Sequence, residues 1–148
     1  MNVDQLKWQA NQYFQRSNKE YGDAGWVHSD TRAEITAIIY LSDHDNSGTA
    51  LYRNPNFILS PGHMKEKEKF YKTLKNRKRA EQKRKETTSK YKKVIDMSSN
   101  FNRLVLFDGH HWHQATGFGN TKEDRLTLIT FFQEVSGDNI KYPIPTMR

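Results

Sequence analysis

The order of apolar and polar positions divides this chain into short segments with two different periods. Over residues 2 to 16, Val3, Leu6, Ala10, Tyr13 and Phe14 recur at helical spacing, which predicts an amphipathic N-terminal helix. Gly22 and Gly25 then interrupt the chain before Trp26-Val27-His28. From 35 to 41 the β-branched and aromatic content predicts a strand buried on at least one side. Asp43-His44-Asp45-Asn46-Ser47-Gly48 is dense in turn formers. Short strands are expected at 49–53 and 57–60, divided by Pro55 and ended by Pro61-Gly62, and again at 93–97, 103–107 and 126–133. The layout predicts a mainly β (α+β) fold with one helical entry segment.

Residues 64–92 break that pattern. Met64, Phe70, Tyr71 and Leu74 form one weak apolar stripe, and almost everything after them is Lys, Arg, Glu, Gln or Thr. This predicts a basic insert, either a solvated helix or a flexible segment, within a single domain spanning 1–148. The charge is concentrated there. Residues 63–93 hold 14 Lys and Arg against 4 Glu, a net +10, whereas the rest of the chain holds 10 basic and 13 acidic residues, a net −3. The insert is therefore the candidate contact for nucleic acid or another acidic partner, or a cover for an active site. As a charge run its ordinary role is a solvated face.

Composition narrows the chemistry. With no cysteine, disulfides and thiolate metal sites are excluded, so any metal must sit on His, Asp or Glu. No apolar run approaches the length of a membrane span, and the N-terminus lacks a signal-peptide pattern, so an intracellular, cytoplasmic protein is expected.

Three groups of residues carry candidate chemistry. His28 and Asp30 stand two apart, and in extended backbone such residues project from one face, where an imidazole and a carboxylate can share a metal. Such a pair alone is common by chance, and its plain alternative is a surface turn. The run 102–109 delivers an apolar strand and a turn to His110, His111 and His113, half of the chain's six histidines. One of them would complete two histidines and a carboxylate, a facial triad with open positions that suits non-haem Fe(II). Arg125 and Thr127 share a strand face, and a guanidinium with a hydroxyl beside it makes a carboxylate clamp.

The order of these elements resembles the Fe(II)/2-oxoglutarate dioxygenases, nearest to the prolyl-hydroxylase-like branch and to small, often phage-encoded relatives. The residues that carry the resemblance are His28-Ser29-Asp30, the strand Ala37-Ile38-Ile39-Tyr40-Leu41-Ser42, the segment Leu106-Phe107-Asp108-Gly109-His110-His111-Trp112-His113, and Arg125-Leu126-Thr127. It covers about 25–53 and 101–133, with Ser47-Gly48 where the family often has paired glycines. The resemblance implies a double-stranded β-helix of the jelly-roll or cupin-like kind. It implies that His28, Asp30 and His113 ligate Fe(II), with His111 the fallback for the third ligand. Arg125 would bind the distal carboxylate of 2-oxoglutarate, with Thr127 and Tyr40 beside it. Tyr40 reads equally as an inward-packed core aromatic.

The implied activity is oxidative decarboxylation of 2-oxoglutarate coupled to hydroxylation by O2 of an unidentified substrate, whether protein side chain, nucleic acid or small molecule. Asp108, Glu34 and Thr36 are candidates for orienting the ligands. Two other classes fit parts of the pattern: a non-catalytic nucleic-acid-binding β domain with a structural metal site, and a cupin-type metal enzyme without 2-oxoglutarate. Neither needs Arg125.

Overall fold

The computed structural model describes residues 7–44, 46–53, 77–118 and 123–137. These form seven strands and one α-helix. In chain order they are β1 (Lys7–Ser17), β2 (Ile35–Tyr40), β3 (Gly48–Arg53), α1 (Arg77–Thr88), β4 (Lys92–Ser98), β5 (Leu104–Asp108), β6 (Trp112–Thr116) and β7 (Arg125–Ser136). A single 3-10 turn, Lys19–Tyr21, follows β1, with the Asn18 side chain accepting from the Glu20 amide.

The strands make two antiparallel sheets, one in the order β1-β7-β2-β5 and the other β4-β3-β6. Period two decides which side chains meet between them. Ile38 and Tyr40 of β2, Val105 and Phe107 of β5 and Ile129 of β7 turn inward, onto Leu51 of β3, and form one buried cluster. The alternate residues Ala50 and Tyr52 of β3 turn to the opposite face and pack with Val27, Tyr91 and Trp112. Close backbone approach fixes the joints: a Cβ on Gly48 would lie 1.9 Å from the Met97 carbonyl oxygen, and one on Gly109 would lie 2.1 Å from that of Ala33.

The N-terminal segment departs from expectation. Residues 7–16, within the stretch whose apolar spacing predicts a helix, instead belong to strand β1, paired with β7 from Lys7↔Ser136 to Ser17↔Arg125. Helix propensity is a weak preference that tertiary context overrides. β7 offers a long edge of unpaired backbone groups, and β1 satisfies it over its full length. Side-chain burial contributes little there, because only Ser17 of β1 is buried. The remaining expected strands at 35–41, 49–53, 93–97, 103–107 and 126–133 coincide with β2, β3, β4, β5 and β7. β6 was not anticipated. The expected strand at 57–60 lies outside the described residues, as does 64–76 of the insert.

Within the insert, α1 is helical and anchored. Arg84 is buried and forms a two-point ion pair with Glu81, while Lys85 reaches Asp23 at 3.6 Å. At its C-terminal end the Gln114 amide donates to the carbonyl of Gly25 (2.7 Å) and to the Thr88 hydroxyl (3.4 Å), and accepts from the Tyr52 hydroxyl (2.6 Å). Gln114 is the neighbour of His113 and points to the opposite face of β6. The described helix therefore lies behind the second sheet and does not cover the face that carries His113.

Candidate metal centre

The metal candidates converge because two backbone bridges bring them together. His28 and His113 face each other in an isolated antiparallel bridge, each donating its N–H to the other's carbonyl at 2.9 and 2.8 Å. Asp30 is fixed two residues on, where its N–H donates to the Gly109 carbonyl (2.7 Å) and its own carbonyl accepts from Ala33 (2.8 Å). Gly109 in turn donates to Glu34 at the entry to β2. Potential ligand atoms of His28, Asp30 and His113 then all lie within 4.8 Å of one another.

Hydrogen bonds define which imidazole nitrogens face the centre. Nδ1 of His28 lies 2.8 Å from the Trp26 carbonyl, and Nδ1 of His113 lies 2.9 Å from that of His111. A carbonyl only accepts, so each Nδ1 carries the proton and each Nε2 presents its lone pair. Both Nε2 atoms point to Asp30, at 3.6 Å from Oδ1 for His28 and 3.3 Å from Oδ2 for His113. The Thr36 hydroxyl, on the inward face of β2, donates to Asp30 Oδ2 at 2.7 Å. Burial pushes the Asp30 carboxyl up, but whenever the imidazoles carry a second proton, on Nε2, hydrogen bonding and charge from His113, the charge of His28 and the Thr36 hydroxyl outweigh it and hold it below its ordinary value. With both Nε2 lone pairs free, two imidazoles and one carboxylate are positioned to bind a metal.

Of the clustered histidines, His113 stands in this group and His111 does not. His110 is exposed, and its amide donates to Asp108 across the turn. The three candidate orienting residues separate in the same way. Thr36 touches the candidate ligand Asp30, Asp108 caps the turn before β6, and Glu34 accepts from the Val135 amide (3.1 Å).

Arg125, Thr127 and Tyr40 form a second group. Tyr40 and Thr127 are opposite partners on β2 and β7, and Arg125 precedes Thr127 by two on the same face. All three are almost fully buried. The Arg125 guanidinium lies over the rings of Tyr40 (5.2 Å) and Phe118 (5.6 Å). Its Nε and Nη1 are buried and meet no hydrogen-bond acceptor among the described residues. Burial lowers its affinity for the proton, with the Tyr40 hydroxyl working in the opposite direction. The Tyr40 hydroxyl donates to Thr49 at 2.7 Å, and the Thr127 hydroxyl donates to the Gln15 carbonyl at 3.4 Å.

β2 joins the two groups. Thr36 at one end and Tyr40 at the other lie on its inward face, roughly 13 Å apart at ordinary strand rise. Tyr13 of β1, expected from its spacing to be an apolar position of a helix, also reaches this space. Its ring meets that of Phe131 at a tilt, with centroids 5.6 Å apart, and partial burial together with the charge of Asp30 raises its phenol above the ordinary value. Only strand pairing reveals this, since Tyr13 and Asp30 belong to no common motif.

A family model described as "Family of unknown function (DUF6445)" matches residues 23–132. The chain belongs to that family. The match to DUF6445 takes in His28, Asp30, Tyr40, His113, Arg125 and Thr127. No curated protein matches the sequence. Among solved structures, the chain is similar to a prolyl 4-hydroxylase from Phytophthora capsici, at 14% identity and a TM-score of 0.48. That similarity covers 92% of this chain and 36% of the other, so the chain spans about a third of the hydroxylase structure. No helix among the described residues is long and apolar enough to cross a membrane.

Proposed function

We propose that this DUF6445 protein is an Fe(II)- and 2-oxoglutarate-dependent oxygenase built on a double-stranded β-helix. The observation that carries the reading is the pairing of a two-histidine, one-carboxylate group with a buried guanidinium whose Nε and Nη1 meet no acceptor among the described residues. A structural metal site would account for His28, Asp30 and His113 but would leave Arg125 unexplained. Burying an unpaired charge costs several kcal/mol, which favours an anionic partner at that position.

The donor set fits iron, and the orphaned guanidinium fits the far carboxylate of a five-carbon dicarboxylate. His28 and His113 would hold the metal through Nε2, and Asp30 through a carboxylate oxygen. When bound, iron with 2-oxoglutarate and O2 supplies the oxidant for C–H hydroxylation, with succinate and carbon dioxide as coproducts. The protein's own part is positional. The Trp26 and His111 carbonyls hold the imidazoles in the required tautomer, and Thr36 orients Asp30. Arg125 anchors the cosubstrate through charge-assisted hydrogen bonds, with Thr127 and Tyr40 walling its pocket. Ile38, Phe107 and Ile129 keep the floor between the two groups dry.

Anaerobic titration of metal-free protein with Fe(II) and then 2-oxoglutarate tests this directly. A weak visible charge-transfer band is expected in the wild type, absent in His113→Ala, and requiring much more 2-oxoglutarate in Arg125→Met. A folded wild type that binds Fe(II) but gives no band and no shift with 2-oxoglutarate would sink the reading.

A further inference from the structure

Period two gives the first sheet a second face, turned away from the cluster of Ile38, Phe107 and Ile129 and from the metal centre. Register sets Phe14, Leu128, Ile39 and Leu104 side by side on that face, one from each strand in the order β1-β7-β2-β5. The next row across the same strands is Gln12, Thr130, Ala37 and Leu106. No described element packs over these rows, since Phe14 is 69% exposed, Leu104 53% and Leu106 60%. Strands about 4.8 Å apart, rising about 3.3 Å per residue, give the face a plan area of about 400 Å². Soluble proteins rarely leave a larger contiguous apolar patch to water, and such patches mark interaction sites.

The polar groups of the face are already paired within the chain. Gln12 donates to the Thr130 hydroxyl across the strands at 2.7 Å. The two charged side chains at its margin are also held, Arg16 by Asp124 and Asp108 by the amide of His110. Covering the face breaks none of these pairs.

We infer that a second copy of this chain covers the face, the two sheets stacking about a two-fold axis. An apolar sheet face is complementary to itself, as a contact between identical patches requires. The chain carries a net charge of +7, and repulsion between copies is least where they meet through a face without unpaired charge. Side-chain relief raises the accessible area above the plan area, so two copies bury on the order of 1,000 Å² together, enough for a specific interface. The stack has the layering of a β-sandwich, with sheets about 10 Å apart. His28, Asp30 and His113 lie on the other side of the sheet, so the inference stands apart from the oxygenase reading.

The test is sedimentation velocity of the full chain over roughly 1–100 μM. The wild type is expected to pass from one copy to two and no further, and its thermal midpoint to rise with concentration. Leu106→Glu places a carboxylate in the interface from each copy and should weaken dimerisation at least about 100-fold, with circular dichroism unchanged. Phe14→Ser, on the opposite edge strand, should weaken it at least about tenfold. Val94→Glu, at a residue 46% exposed on the second sheet, leaves the dimer intact. A wild type that stays a single copy throughout overturns the proposal and leaves the face to a different partner. Association that both face variants leave unchanged, that Val94→Glu abolishes equally, or that grows beyond two copies also overturns it.

Discussion

His28 and His113, separated by 85 positions in the chain, are opposite partners in a two-hydrogen-bond antiparallel bridge, with their rings 4.3 Å apart between centroids. Both rings are therefore placed by main-chain geometry, and each is oriented by a carbonyl two residues upstream. The centre is preorganised by backbone, which sets which substitutions should damage it.

Thr36→Val keeps shape and burial but removes the hydroxyl that donates to Asp30 Oδ2. Loss of such an outer hydrogen bond typically weakens metal affinity 10–100-fold. Competition against a chelator should show that decrease with the fold intact. Unchanged affinity would mean that Thr36 is a packing residue only.

Arg125→Met should separate stability from ligand binding. Removing a buried charge whose Nε and Nη1 meet no acceptor among the described residues leaves the ligand-free thermal midpoint unchanged or higher. The same change should cost about 2–5 kcal/mol of 2-oxoglutarate binding, at least roughly a 30-fold loss. Thermal shift with and without the ligand reads both. A large fall in the ligand-free midpoint would show that Arg125 serves the fold.

Gly109→Ala should impair the centre without touching a ligand. Its Cβ would fall 2.1 Å from the Ala33 carbonyl oxygen, and Gly109 itself accepts the Asp30 amide. Backbone must shift, so Asp30 is displaced. Both a lowered thermal midpoint and weakened Fe(II) binding are expected. A normal midpoint with normal metal affinity would contradict the close approach.

His111 predicts a pH effect on the metal-free protein. Burial lowers its pKa from 6.5, with Asp108 opposing and His113 assisting, and its Nε2 is buried without a hydrogen-bond partner among the described residues. As pH falls, the unfolded chain takes up this proton before the folded one does. The associated stability is thus complete above about pH 6.5 and declines below it. Urea unfolding at several pH values should show that decline, and His111→Gln should flatten it.

The sequence alone determined what depends on local period. The β-branched and aromatic content of 35–41 predicted β2 as a strand buried on at least one side, and the period of two in extended backbone set Arg125 beside Thr127 and His28 beside Asp30. The types of donor and the absence of cysteine likewise needed no fold. Tertiary structure decided whatever depends on a distant partner. Residues 7–16 have helical spacing but lie in β1, because β7 offers them an edge. β6 could not be read from Trp112 to Thr116, since its polar residues are made strand-like by pairing with β3. That pairing sets His113 opposite Leu51 and points it inward, and the bridge to His28 then selects it for the centre over its two neighbours. Side-chain period is local, whereas register and the choice of strand partner are set by backbone hydrogen bonds between segments that only folding brings together.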